Sequence, residues 1–148
     1  MGSLPVEFLR RAGLVSSQET PEATPLSGGV SSEIWRVDLE RGPVCVKRAL
    51  ARLRVAQEWL APVERNRYEH RWMERAARAV PAAAPKVLAA EDDAGMFAME
   101  YLAPGDHPVW KEQLRRGHAD PDFAFRVGGA LAAIHASTTS AEVAALFP

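Results

Sequence analysis

Cysteine occurs once in the 148 residues, at Cys45, so neither an intrachain disulfide nor a cysteine-based zinc cluster is available. Lysine is almost as scarce: the 18 basic residues are mostly arginine, with lysine only at Lys47, Lys86 and Lys111, so each lysine position is informative. Net charge is nearly absent, at -1, which removes any bulk electrostatic reason to expect nucleic acid or an anionic membrane as partner. No apolar run approaches membrane-spanning length. No signal-length apolar run opens the chain, with Glu7 falling inside it, and after Met1-Gly2 the position of a myristoylation signal that wants Ser or Thr holds Val6. The expectation is a cytoplasmic protein without a membrane anchor. Internal repeats and low-complexity segments are also missing. What is present, 47% hydrophobic and 25% charged residues, suffices for one globular domain, or one and a fraction.

In chain order, residues 4–13 predict a short helix with Phe8, Leu9 and Ala12 on one face and Gly13 as its stop. A polar loop over 16–25 leads to a strand at Ala23–Ser27 and a second at Glu33–Leu39. Alternation in the second places Ile34, Arg36 and Asp38 on one face and Trp35, Val37 and Leu39 on the other. A turn at 40–42 precedes a third strand, Val44–Arg48, with Val44 and Val46 on one face and Cys45 and Lys47 on the opposite one. Residues 49–61 carry helix-favouring composition without helical spacing. A helix is expected from Pro62, a good first residue, to Pro81, which ends it. Its apolar spacing puts Glu69 at the edge of the buried stripe. Two strands at 86–90 and 96–101 flank a hairpin at 91–95. A linker, a short helix at Trp110–Arg116 and a longer helix at 121–136 follow. Asp120 caps the last of these, Phe123, Val127, Leu131 and Ile134 form its stripe, and close packing is the expected reason for Gly128-Gly129 within it.

The most suggestive stretch runs from Leu26 to Lys47. Gly28-Gly29 followed by Ser31 and Ser32 joins two strands, and a lysine closes the next one. Flexible backbone that turns N–H groups toward anionic oxygens, with a nearby lysine charge, is the chemistry of a phosphate cradle. Taken alone, a glycine pair is also an ordinary hairpin turn, and Lys47 would be a snorkelling edge-strand lysine. A lysine among valines on a central strand needs a partner, and an inward carboxylate on the following helix is the natural one: Glu69, or in its place Glu64. Cys45 reads as a buried, inert thiol. His135 reads as a packing residue, His70, His107 and His118 as surface residues, and Arg48, Arg52, Arg54, Arg65 and Arg67 as a solvated face. Trp35, Trp59, Trp72 and Trp110 read as packing residues.

Five pieces stand in a telling order: Gly28-Gly29-Val30-Ser31-Ser32, Val44-Cys-Val-Lys-Arg-Ala-Leu50, Glu64-Arg-Asn-Arg-Tyr-Glu69, Phe97-Ala-Met-Glu-Tyr-Leu102 and Leu131-Ala-Ala-Ile-His-Ala136. Together they resemble the N-terminal lobe of the aminoglycoside phosphotransferase family of small-molecule kinases, which have a protein-kinase-like fold. The resemblance implies an α+β fold. A five-stranded antiparallel sheet with an inward-facing helix would occupy residues 1–102, and a hinge with the first helices of a second lobe residues 103–148. It implies ATP as cofactor, with Gly28, Gly29, Ser31 and Ser32 over the phosphates, Lys47 on the α- and β-phosphates, and Glu69 holding Lys47. Met99, Glu100, Tyr101 and Leu102 would be the hinge that meets adenine. The run from Lys47 to Val55 also resembles methylthioribose kinases.

The same resemblance implies a His-Gly-Asp catalytic loop, a magnesium-binding asparagine five residues on and a second acidic motif. None is in this sequence. Gly117-His118-Ala119-Asp120 is an echo with Phe125 where the asparagine would stand, so catalytic and metal-ligating residues are expected to be none and magnesium is expected only with the rest of a kinase. The acceptor, a small-molecule hydroxyl, stays open among aminoglycoside, choline-like alcohol and sugar. The chain alone is expected to be inactive, with the 121–136 stripe partly exposed for self-association or for a second lobe. The alternative is a non-catalytic α+β interaction module.

Overall fold

The structure, a computed structural model, describes residues 3–147; the Met1-Gly2 start read above lies outside them. It is α+β, built on one five-stranded antiparallel sheet in the order β1-β2-β3-β5-β4. The strands are β1 (Glu22–Pro25), β2 (Ser32–Leu39), β3 (Gly42–Ala49), β4 (Val87–Glu91) and β5 (Met96–Glu100). The helices are α1 (Leu4–Arg11), α2 (Arg65–Ala79), α3 (Trp110–Arg115), α4 (Pro121–Ser137) and α5 (Ala141–Ala144).

The two faces of the sheet follow from strand alternation. Trp35 pairs with Val46, Val37 with Val44 and Val46 with Ala98, so these residues share a face. That face packs on Val6, Phe8 and Leu9 of α1 and forms the main core. The opposite face carries Ile34 and Arg36 from β2, Cys45 and Lys47 from β3, and Phe97 and Met99 from β5. Helix α2 lies over it, with the His70 ring 5.9 Å from that of Phe97. Burying a phenylalanine-sized side chain contributes about 2 kcal/mol, and Phe8, Leu9, Val37, Val46 and Phe97 are all fully buried. Lys47 is thus on a central strand between β2 and β5, which removes the edge-strand reading.

Local chemistry explains the ends. Gly13 adopts φ +69 just past α1, and the Leu14 amide bonds the Leu9 carbonyl, a glycine-terminated helix end. Gly95, at φ +59, closes the turn between β4 and β5. Asp120 caps α4 by accepting from the Phe123 amide at 3.0 Å.

Several expectations are corrected. Helix α2 begins at Arg65, not Pro62. The Asn66 amide bonds the Val63 carbonyl in a tight turn, while the Arg65 side chain takes the Pro62 carbonyl that a longer helix would have used. Strand β1 spans Glu22–Pro25, earlier than Ala23–Ser27; its register with β2 ends at Pro25↔Trp35, with one further bond from the Leu26 amide to the Ile34 carbonyl. Ala49 ends β3, and residues 50–61 fold back as an irregular arm with one bridge, Arg52↔Leu60. Trp59 and Trp72 are exposed on the described surface. A Cβ at Gly128 or Gly129 would meet nothing within 4 Å, so close packing does not account for them here. The segment after α4 adds α5, capped by Ser140, which brings Phe147 against Tyr68 of α2.

Candidate functional site

Lys47 reaches across from β3 to the Glu69 carboxylate of α2, and the two form a direct ion pair. The Lys47 side chain is 17% exposed and that of Glu69 36%, so the pair lies in a partly desolvated layer between sheet and helix. Glu64, the other candidate, is exposed at the helix entrance. The rotation of α2 that aims Glu69 at Lys47 is set by its neighbours. His70 is buried on Phe97 and its Nε2 lies 2.9 Å from Asp92 Oδ1. Arg67 and Arg71 converge on Asp92 Oδ2, at 3.3 and 3.5 Å. The Arg67 contact is an ion pair and not a well-aligned hydrogen bond, since Arg67 Nε has no partner in the required direction. His70 is therefore no surface residue. It anchors the helix to the turn between β4 and β5.

The loop from Ser27 to Ser31 joins β1 and β2 above Lys47's strand. Gly28 has φ +100, a conformation that costs an L side chain about 1–2 kcal/mol. Gly29 is constrained differently: a Cβ there would sit 2.1 Å from the Ser32 carbonyl oxygen. Two of the loop's carbonyls are held by the segment that follows β3. Val30 accepts from the Arg54 amide at 2.8 Å, and Ser31 from the Leu50 amide at 3.0 Å. Arg65 Nη2 donates to Ser31 at 2.6 Å and to Leu50 at 2.7 Å, while Nη1 donates to Ala61 and Pro62. Arg65 is a structural clamp and not part of a solvated face. Sequence reading missed it because its partners are backbone carbonyls, which have no sequence signature.

Met99 and Glu100 end β5, and Tyr101 and Leu102 follow it. Met99 lies opposite Cys45 on the Lys47 face. The Glu100 amide is committed to the Lys86 carbonyl at 2.9 Å. The Arg36 guanidinium lies over the Tyr101 ring, 5.1 Å from its centroid, and bonds Asp38. The Asp38 hydrogen bond, with help from Tyr101, raises the Arg36 pKa above its ordinary value. Burial pushes the Cys45 thiol up to about 11, against the lowering effect of Lys47.

The arrangement is an open charged face. Two depressions of about 490 and 540 Å³ share Lys86, Val87 and Glu100; neither is lined by Lys47, Glu69 or the glycine loop. Among the described residues, no three His, Cys, Asp or Glu side chains come together as metal ligands. Also among them, no helix is long and apolar enough to cross a membrane. Lys47 lies opposite Ile34, two residues along β2 from Ser32 at the end of the loop.

Residues 22–145 match the phosphotransferase enzyme family (APH). Methylthioribose kinases of Pectobacterium atrosepticum and Pectobacterium carotovorum are each 30% identical to the chain over 131 residues. The matched region is 86% of this chain and 32% of theirs, so the chain spans about a third of the length of the curated relatives it matches. A solved structure called a "putative fructosamine-3-kinase", from Thermobifida fusca, matches with a TM-score of 0.44 and 19% identity, over 70% of this chain and 32% of that one.

Proposed function

The chain belongs to the phosphotransferase enzyme family, and from that premise we propose that it is the ATP-binding portion of a small-molecule kinase. The observation that carries this reading is the Lys47–Glu69 pair, on a strand whose register sets Lys47 opposite Ile34, two residues from the end of the glycine-serine loop. Residues 1–102 form the nucleotide lobe in this proposal, and residues 103–148 the hinge and the start of a second lobe. The N–H groups of Gly28, Gly29, Ser31 and Ser32 hold phosphate oxygens. Lys47 neutralises charge on the α- and β-phosphates, and Glu69 keeps its ammonium in place. Met99, Glu100, Tyr101 and Leu102 line the adenine end. With the Glu100 amide engaged by Lys86, its carbonyl and the backbone of Tyr101 and Leu102 are left for the base.

When bound, ATP supplies the phosphoryl group that the complete kinase transfers to a hydroxyl of a small molecule. The base that orients that hydroxyl and the ligands that hold magnesium come from outside this sequence, so the chain alone is inactive in this reading. The likeness to methylthioribose kinases favours a sugar hydroxyl over an aminoglycoside or a choline-like alcohol. The ATP pool makes the cytoplasm its compartment.

A second reading, a non-catalytic interaction module, draws on α4. Phe125 is 83% exposed and Leu131 is also exposed, two separate apolar side chains on α4 that a second lobe or a second copy would cover. Titration with ATP, with and without magnesium, separates the two by thermal shift and calorimetry. The kinase reading expects stabilisation of the wild type and none for Lys47→Ala. Equal responses from both, or none from either, leave only the module.

A further inference from the structure

We propose that Arg65 is a positioning residue that presets the glycine-serine loop for phosphate, an inference that rests on the phosphate role proposed above. Its guanidinium donates to four backbone carbonyls from three separate segments: Ser31 in the loop, Leu50 just after Lys47's strand, and Ala61 and Pro62 ahead of α2. No acidic side chain among the described residues pairs with it. Its charge is spent on carbonyl dipoles in a part-buried position, where a charge-assisted hydrogen bond is stronger than a neutral one.

The consequence for the loop follows from peptide geometry. A trans planar peptide carries its C=O and N–H on opposite sides. The Ser31 carbonyl is anchored twice, by Arg65 and by the Leu50 amide, so the Ser32 N–H points the other way. The Val30 carbonyl is anchored by the Arg54 amide, so the Ser31 N–H does the same. The Leu50–Ser31 bond also makes Ser32↔Ala49 a non-hydrogen-bonded pair, which turns the Ser32 N–H away from β3. Two donors are thereby oriented before any ligand arrives, the Ser32 one in a residue that is itself buried. Arg65 is the first residue of α2 and lies one turn before Glu69, so one side chain ties together the loop, the end of the lysine strand and the helix that holds Lys47. A lysine cannot substitute, because it offers a point charge and not a planar fork.

The test compares wild type with Arg65→Lys and Arg65→Gln. Amide hydrogen exchange without nucleotide follows Leu50 and Arg54, whose N–H groups bond the loop carbonyls, against Val46 and Ala98 in the sheet. Calorimetry then measures ATP and adenosine. Both variants are expected to raise exchange at Leu50 and Arg54 about tenfold with Val46 and Ala98 unchanged, and to weaken ATP about tenfold while adenosine holds. Either readout unchanged in Arg65→Lys overturns the proposal, since charge alone would then suffice. A uniform rise that includes Val46 and Ala98, or unfolding of both variants, also overturns it by making Arg65 a general stability residue. If wild type binds no ATP, the nucleotide reading falls, and exchange alone still decides whether Arg65 holds the loop.

Discussion

Breaking the Lys47–Glu69 pair from its two ends should give unequal results. Lys47→Met removes the charge and keeps the length of the side chain, leaving Glu69, which is 36% exposed and can recover much of its hydration. The expected loss is about 1 kcal/mol, near the upper end for solvent-screened pairs. Glu69→Leu leaves an ammonium that is only 17% exposed on a central strand, so the expected loss is about 2–3 kcal/mol. The double variant removes both charges and fills the space with apolar atoms. It should return to within about 1 kcal/mol of wild type, because a well-packed apolar pair replaces a partly buried ion pair at little cost. For a chain of this size 1 kcal/mol moves the melting temperature by about 2–4 °C. Urea denaturation followed by tryptophan fluorescence gives the stabilities, and calorimetry gives ATP affinity, which all three variants should lose. Additive single effects, a double variant as unstable as the worse single, or Lys47→Met proving the more damaging change would refute the reasoning.

Gly29→Ala should destabilise by about 1–3 kcal/mol through its contact with the Ser32 carbonyl, measured by chemical denaturation, whereas a cost near zero would mean the loop yields freely. Asp92→Asn should cost about 1–2 kcal/mol by releasing Arg67, His70 and Arg71, and should speed amide exchange in α2; an unchanged exchange pattern counts against its anchoring role. Cys45, with its thiol near 11 against an ordinary 9.0, should react with a disulfide reagent at pH 8 about a hundredfold more slowly than in urea. Its raised folded pKa favours the native state below the unfolded value, so this contribution should fade as pH rises from about 9 to 11.

Much of the fold was legible in sequence because the relevant signals are local. Alternation in Glu33–Leu39 and Val44–Arg48 separated the core face from the Lys47 face, and Gly13, Pro81, Gly95 and Asp120 marked ends through their own backbone chemistry. Helical spacing puts Glu69 at the rim of a buried stripe and makes it a candidate partner for Lys47 beside Glu64; the ion pair in the structure chooses Glu69. His70 was misplaced for a related reason. It sits on the same stripe, but only the Asp92 turn, more than twenty residues away, gives its nitrogen a partner and lets it be buried. Arg65 was indistinguishable from Arg48 or Arg54 in composition. Residues 49–61 have no period to read, since their hydrogen bonds run to Val30 and across an irregular arm.

By itself the sequence determined the element order, the faces of the strands and the candidate pairing of a scarce lysine with a carboxylate of the following helix, because periodicity and local capping are properties of neighbouring residues. Only the tertiary structure decided that Lys47 lies on a central strand, that Asp92 and His70 lock the helix bearing Glu69, and that Arg65 holds the Ser31 carbonyl of the loop. Those three depend on backbone groups and side chains brought together from distant segments, and a carbonyl's direction is set by what folds against it.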